Sequence, residues 1–210
     1  MYIAFRKFHP YMPLVIIDNS DPGDPTQLYL NDICSRETLV YRMNKNIGHA
    51  KGLNLGISKS KTPYVLIMDS DSEIIKSPVL GMAEMMDKDT YGVGWVTEIG
   101  RDGYDFGTWP HHKEPIKYLH PYFCLINLNW FMKFPPFAHH GAPFYKAAVA
   151  LHDTKQSWRI RQLPGLTGHT SGIGANWKGT PSKYVNHPFG GTRAVLKSMG
   201  RKEIEGRWEF

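Results

Sequence analysis

Short apolar runs alternate with stretches of helical spacing through the first half of the chain. Residues 14–17 (Leu-Val-Ile-Ile) stop at Asp18-Asn19-Ser20-Asp21-Pro22-Gly23, so a buried strand is predicted to end in a turn. Residues 27–36 read as a short helix. Residues 38–43, with β-branched and aromatic side chains, read as a second strand. After Asn44-Lys45-Asn46-Ile47-Gly48-His49, the positions Ala50, Leu53, Leu55, Gly56, Ile57 and Ser60 recur at helical spacing until Pro63 stops the helix. Residues 64–68 (Tyr-Val-Leu-Ile-Met) are apolar throughout, as in a strand covered on both faces, and end at Asp69-Ser70-Asp71-Ser72-Glu73. Pro78 opens a further helix to about residue 87, and residues 92–96 form the next strand.

This alternation predicts an α/β fold, an open and mostly parallel sheet flanked by helices. Functional loops in such sheets lie beyond the carboxyl ends of the strands. Asp18, Asp69 and Asp71 are therefore expected at one rim. The second half is less regular. Residues 100–114, rich in Gly, His and Asp, read as a long loop, 123–128 as a strand, 142–151 as a helix with Pro143 in its first turn, and 158–163 as a returning strand. Residues 164–181 are rich in Gly, Thr and Ser and read as a loop. No linker divides the chain, so a single domain is expected.

Composition narrows the class. A chain of 210 residues can bury one core and is short for two. Its 41% hydrophobic and 21% charged residues set it apart from disordered sequences. No apolar run approaches the roughly 18 residues of a membrane span. The run at 14–17 is too short for a signal-peptide core, and no small-residue cleavage site follows it. A soluble, cytoplasmic protein is expected. Cys34 and Cys124 lack zinc-site spacing and read as reduced, structural thiols. The net charge of +6 suits anionic ligands such as nucleotide diphosphates, nucleic acid or an acidic membrane surface.

The chemistry concentrates in Asp69-Ser70-Asp71. Two carboxylates one residue apart at a strand end can share a hard divalent cation, Mn²⁺ or Mg²⁺, together with phosphate oxygens. Such a cation neutralises a diphosphate leaving group. The same two residues would also suit a turn with helix-capping aspartates.

Four pieces in order decide between these. They are Val15-Ile16-Ile17-Asp18-Asn19-Ser20, the Asn46-Ile47-Gly48 turn, a helix carrying Lys51 and Asn54-Leu55-Gly56, and Tyr64-Val65-Leu66-Ile67-Met68-Asp69-Ser70-Asp71. Together they resemble the core of inverting glycosyltransferase family 2, over about residues 14–75. The resemblance implies a GT-A-type fold and a nucleotide-sugar donor. It implies that Asp18 reads the nucleobase, a uracil imide, and that Asn46 and Gly48 form a tight turn near the nucleotide. Lys51 would face the base or diphosphate, and Asn54 would brace the turn. Asp69 would touch ribose or metal, and Asp71 would bind the metal. Residues 1–96 then form the nucleotide-sugar-binding half, 97–180 the acceptor-side half and 181–210 a basic tail. The family's additional first strand has only Tyr2-Ile3-Ala4-Phe5 to match it, which fits a strand or a helix.

The family's catalytic base is an aspartate in a Glu-Asp pair that opens a helix. Here the matching helix opens at His139-His140-Gly141-Ala142-Pro143, with no acid. His139 or His140 is the candidate base, because imidazole titrates near neutral pH. Asp102 and Asp105 in the long loop are alternatives, as is a retaining outcome. His169 is a candidate third metal ligand, since imidazole suits Mn²⁺. Residues 172–180 are a candidate lid, with Lys178 near the diphosphate. Trp109, Trp130 and Trp177 offer stacking faces.

The leading reading is metal-dependent transfer of a sugar, from a UDP-sugar, to a hydroxyl on a glycan, a small molecule or a modified DNA base. Three rivals stand beside it. A nucleotidyltransferase needs a basic Gly-rich loop after its first strand, which residues 20–25 do not supply. A nucleic-acid-binding protein suits the basic tail and eleven tyrosines but lacks a recognised binding motif. An inactive relative would suit the absent Glu-Asp pair.

Overall fold

The alternation in the sequence becomes an alternation of elements. The computed structural model describes residues 1–103, 114–138, 142–168, 171–172, 182–189, 203–204 and 207–208. Tyr2–Phe8 forms helix α1, so the opening residues supply a helix and not an extra strand. Then come Leu14–Asp18 (β1), Thr26–Ile33 (α2), Thr38–Arg42 (β2), His49–Lys59 (α3) and Tyr64–Met68 (β3). Glu73–Ile74 (β4), Val79–Glu84 (α4), Gly92–Ile99 (β5), Ile116–Asn127 (β6), Leu128–Phe131 (α5) and Tyr145–Asp153 (α6) follow. A 3₁₀ turn, Ser157–Arg159, leads to Ile160–Gln162 (β7). Short strands close the chain: Ser171–Gly172 (β8), Val185–Asn186 (β9), Pro188–Phe189 (β10), Glu203–Ile204 (β11) and Arg207–Trp208 (β12).

The α/β class holds, and within it the sheet is mixed. β1 and β2 pair in parallel as a two-stranded ladder. The central sheet has the order β3-β6-β5-β7. β6 runs antiparallel to both β3 and β5, and only β7 joins β5 in parallel. The insertion of β6 between β3 and β5 replaces the parallel neighbour relation that strand–helix alternation suggests.

β6 begins at Ile116, well before the run at 123–128 that sequence pattern marks as a strand. Pro121 hides it, because proline lacks the N–H that a ladder needs. The structure accommodates Pro121 where the β5–β6 register shifts, between Gly94↔Cys124 and Val96↔Leu119. A bulge leaves such a residue unpaired and re-aims its neighbours.

The two faces of β6 belong to two cores. Cys124 and Ile126 pack into one cluster with Ala50 and Ile57 of α3 and Ala147, Ala148 and Leu151 of α6. Phe123 and Leu125 pack into the other, with Phe5 of α1, Met82 of α4 and Val185 of β9. Burial on both faces explains why this strand alternates little between apolar and polar.

Residues 182–189, the head of the expected tail, return to the fold. Val185 and Asn186 pair with Ile74 and Glu73, and Tyr184 O accepts from Ile75 N at 2.8 Å. Arg6 ties α1 to the β1–β2 ladder. Its guanidinium donates to Met12 O (2.7 Å), Glu37 O (2.8 Å) and Thr38 Oγ1 (2.6 Å). Among the described residues, no helix is long and apolar enough to cross a membrane.

Candidate metal and nucleotide site

β3 delivers Asp69 to the sheet's edge. Asp69 N–H donates to Tyr122 O (2.8 Å) and Asp69 O accepts from Ser72 N (3.1 Å), so the chain turns at once into β4. β4 pairs with β9, and that pairing carries His187 alongside Asp71. His187 Nε2 lies 3.4 Å from Asp71 Oδ1, with the imidazole only 5% exposed and the carboxylate 31% exposed. Ligand atoms of Asp69, Asp71 and His187 all lie within 4.8 Å of one another.

Two carboxylates and an imidazole are a donor set suited to Mn²⁺. Atoms about 2.1–2.2 Å from a shared ion lie no more than about 4.4 Å apart. A small side-chain adjustment closes the observed set around an ion, so these residues fit a cation.

The surroundings fix the ligands before anything binds. The His187 ring stacks on Tyr122, with centroids 4.3 Å apart and planes at 7°. Tyr122 is anchored in turn by its hydroxyl, which donates to Thr167 O. The β5–β6 bulge groups Trp95, His120 and Tyr122. His120 lies 5.0 Å from the Trp95 ring and 5.5 Å from the Tyr122 ring. His120 Nδ1 accepts from Tyr122 N at 3.3 Å. His49, the first residue of α3, brings Nε2 within 3.4 Å of Asp69 Oδ1. Burial raises the Asp69 carboxyl, but the His49 hydrogen bond and the charges of His49, His120 and His187 outweigh it and hold it below its ordinary value.

The turn of Asn46 and Gly48 lies at the start of α3. Gly48 has φ +84, a left-handed backbone that a side chain would strain. Asn46 Oδ1 accepts from Gly48 N at 2.8 Å, closing the turn. Asn19 links it to β1, its amide donating to Gly48 O and its carbonyl accepting from Ile47 N, both at 3.4 Å. Lys51 is exposed one turn along. Asn54 does not brace this turn. It bonds the backbone of Phe137 both ways, at 2.8 and 3.1 Å, and so fastens α3 to the segment before α6.

Asp18 is buried in contacts of its own. Oδ1 accepts from Ser20 N (3.0 Å) and from the Ser20 hydroxyl, and Oδ2 faces Arg42 Nε at 3.2 Å. A nucleobase N–H would share this carboxylate with Ser20 and Arg42.

The structure thus brings Asp69 and Asp71 together. It adds His187, His49 and His120, which sequence reasoning missed. His49 stood in the quoted turn, and the Tyr184-Val185 pair before His187 was a short strand signal. His139, His140, His169, Lys178, Asp105, Trp109 and Trp177 lie outside the described residues. Asp102 lies in the turn that follows β5. Asp153, at the C-terminal end of α6, is held by Arg101 at 2.6 Å. Trp130 is committed to structure: its indole N–H donates to Lys88 O (2.7 Å), and Arg159 stacks on its ring.

The fold has counterparts among solved proteins. Its fold resembles that of a mannosyltransferase from Pyrobaculum calidifontis, solved in complex with GDP-Man and Mn²⁺. That match has a TM-score of 0.51 and 14% identity, over 74% of this chain and 46% of the other. It is also similar to S. aureus TarS 1–349, with a TM-score of 0.47 and 13% identity over 94% of this chain and 58% of that one. The chain therefore spans about half the length of these solved proteins. No curated protein sequence matches it. The fold is of the GT-A type, and the profile described as glycosyl transferase family 2 matches residues 5–151; the chain belongs to that family.

Proposed function

We propose that the chain transfers a sugar from a nucleotide diphosphate donor to a hydroxyl acceptor, with a divalent cation held by Asp69, Asp71 and His187. The observation that carries this reading is the convergence of those three side chains at the end of β3, beside the Gly48 turn. A bound Mn²⁺ or Mg²⁺ supplies charge for the departing diphosphate. The rest falls to the chain's own groups. The N-terminus of α3 and Lys51 favour an anion at the turn. Asp18 accepts from the nucleobase while Arg42 holds its other oxygen. His139 or His140 takes the proton of the acceptor hydroxyl. Lys178 meets the diphosphate, and His169 adds a further ligand. The mannosyltransferase solved with GDP-Man and Mn²⁺ supports the cation and the donor class. Uracil is the base expected at Asp18.

Thermal unfolding with UDP, GDP, ADP and CDP, each with and without Mn²⁺, tests the reading. A ligand at about 100 times its Kd adds roughly 2.7 kcal/mol, or about 5–10 °C for a chain of this size. One nucleotide should give such a shift, only with metal, and Asp71→Asn should abolish it. A folded protein that responds to none of them would sink the proposal.

A further inference from the structure

Far along the same sheet from Asp69, an open cavity lies between the end of β5, the start of β6 and the C-terminal end of α6. Its volume is about 550 Å³, and Arg101, Glu114, His152, Asp153, Lys155, Ser157 and Trp158 line it. Asp69 bonds Tyr122 of β6, whereas the cavity begins beyond Ile116, paired with Ile99. Those six residues of strand span about 20 Å. The cavity is therefore separate from the metal site.

We infer that this cavity is a binding site for a neutral oligosaccharide. Two observations select that ligand. First, Trp158 is 51% exposed and carries the Arg159 guanidinium on its ring. Arg159 stacks between Trp158 (4.2 Å) and Trp130 (3.6 Å), and Arg159 itself donates to Asp89 O (2.6 Å) and Gln156 Oε1 (2.8 Å). A half-exposed indole so stacked offers an apolar platform at little entropic cost.

Second, the polar lining is balanced in charge. Arg101 pairs with Asp153 at 2.6 Å and lies 3.9 Å from Glu114, and His152 Nε2 meets Glu114 at 3.1 Å. The Arg101 hydrogen bond holds the Asp153 carboxyl below its usual range, so it stays an acceptor. Arg101 and Lys155 match Glu114 and Asp153 in formal charge, so the lining is neutral overall, and its mixture of donors and acceptors suits uncharged hydroxyls.

The proposal rests on the sugar-transfer reading for its choice of ligand. It makes the acceptor, or the growing product, a chain long enough to be gripped away from the reacting end.

Calorimetric titration with linear neutral hexasaccharides of glucose, mannose and N-acetylglucosamine tests this, with pyrophosphate as the charged comparison. At least one hexasaccharide should bind without nucleotide or metal and shift the Trp158 indole N–H resonance. Trp158→Ala should weaken binding about tenfold or more. Glu114→Gln, at an exposed side chain that leaves the core untouched, should weaken it less, and Asp71→Asn should leave it unchanged. Absence of binding at millimolar saccharide, or binding that survives Trp158→Ala, overturns the site. So does a response to pyrophosphate alone. A protein that binds saccharide at Trp158 but no nucleotide keeps this site and loses the donor reading. Nucleotide binding without any saccharide response does the reverse.

Discussion

Asp69 carries its charge in a place where burial opposes it, and three imidazoles surround it. His49 makes the direct contact, at 3.4 Å. An imidazole that donates to a ligating carboxylate fixes the carboxylate's orientation, and losing such a partner costs about 10–100-fold in metal affinity. His49→Ala should therefore weaken Mn²⁺ binding by about tenfold, read by spin-resonance titration without nucleotide. His49→Gln keeps a donor and should recover part of the loss. Equal affinity in all three proteins would show that His49 does not orient Asp69. The same scale explains what the sequence could show. Asp69 and Asp71 are neighbours on one strand end, so their partnership is local and legible. His187 joins them only because Val185 and Asn186 pair with Ile74 and Glu73, a long-range register that no local pattern encodes.

Among the elements, β6 decides most of the architecture and was the least legible. Its apolar second half reads as a buried strand. Its first half, with His120 and Pro121, does not, because the bulge that makes proline acceptable exists only in the folded pair. Facing the bulge, β5 comes so close that a methyl group at Gly94 would lie 2.8 Å from Cys124 Cβ and 2.9 Å from the Phe123 carbonyl oxygen. Neither can retreat without moving β6. Gly94→Ala should cost about 1–3 kcal/mol, the range for overpacked cores, and lower the unfolding midpoint by roughly 2–12 °C. Gly81 makes the contrast. It lies inside α4, and an added methyl would meet only Leu163 Cδ1 at 3.7 Å. Gly81→Ala should stabilise by about 0.5–1 kcal/mol through helix propensity. Losses of equal size at the two positions would rule out close strand approach as the cause.

At the scale of the whole molecule, two ladders of unequal strength meet at α3. The central sheet is gripped on both faces, and β6 has a paired strand on each side. β1 and β2 form a ladder of two strands only, and a two-stranded ladder alone is marginal. It depends on Arg6 from α1 and on α3, where Gly52 and Gly56 face Ile17. α3 also reaches the other sheet, through His49 at Asp69 and Asn54 at Phe137. Amide exchange should accordingly be slowest in β6, at the free energy of global unfolding, and faster in β1 and β2 through a smaller opening. A nucleotide with Mn²⁺ would clamp the Gly48 turn to Asp69 and Asp71, so the ladder could no longer part from the sheet without losing the ligand. Protection should then rise in β1, β2 and the first turn of α3 by as much as it rises in β6, because both openings release the ligand. A rise in β6 with β1 and β2 unchanged would mean that the ladder parts from the sheet with the ligand still bound and that α3 is not the joint between them.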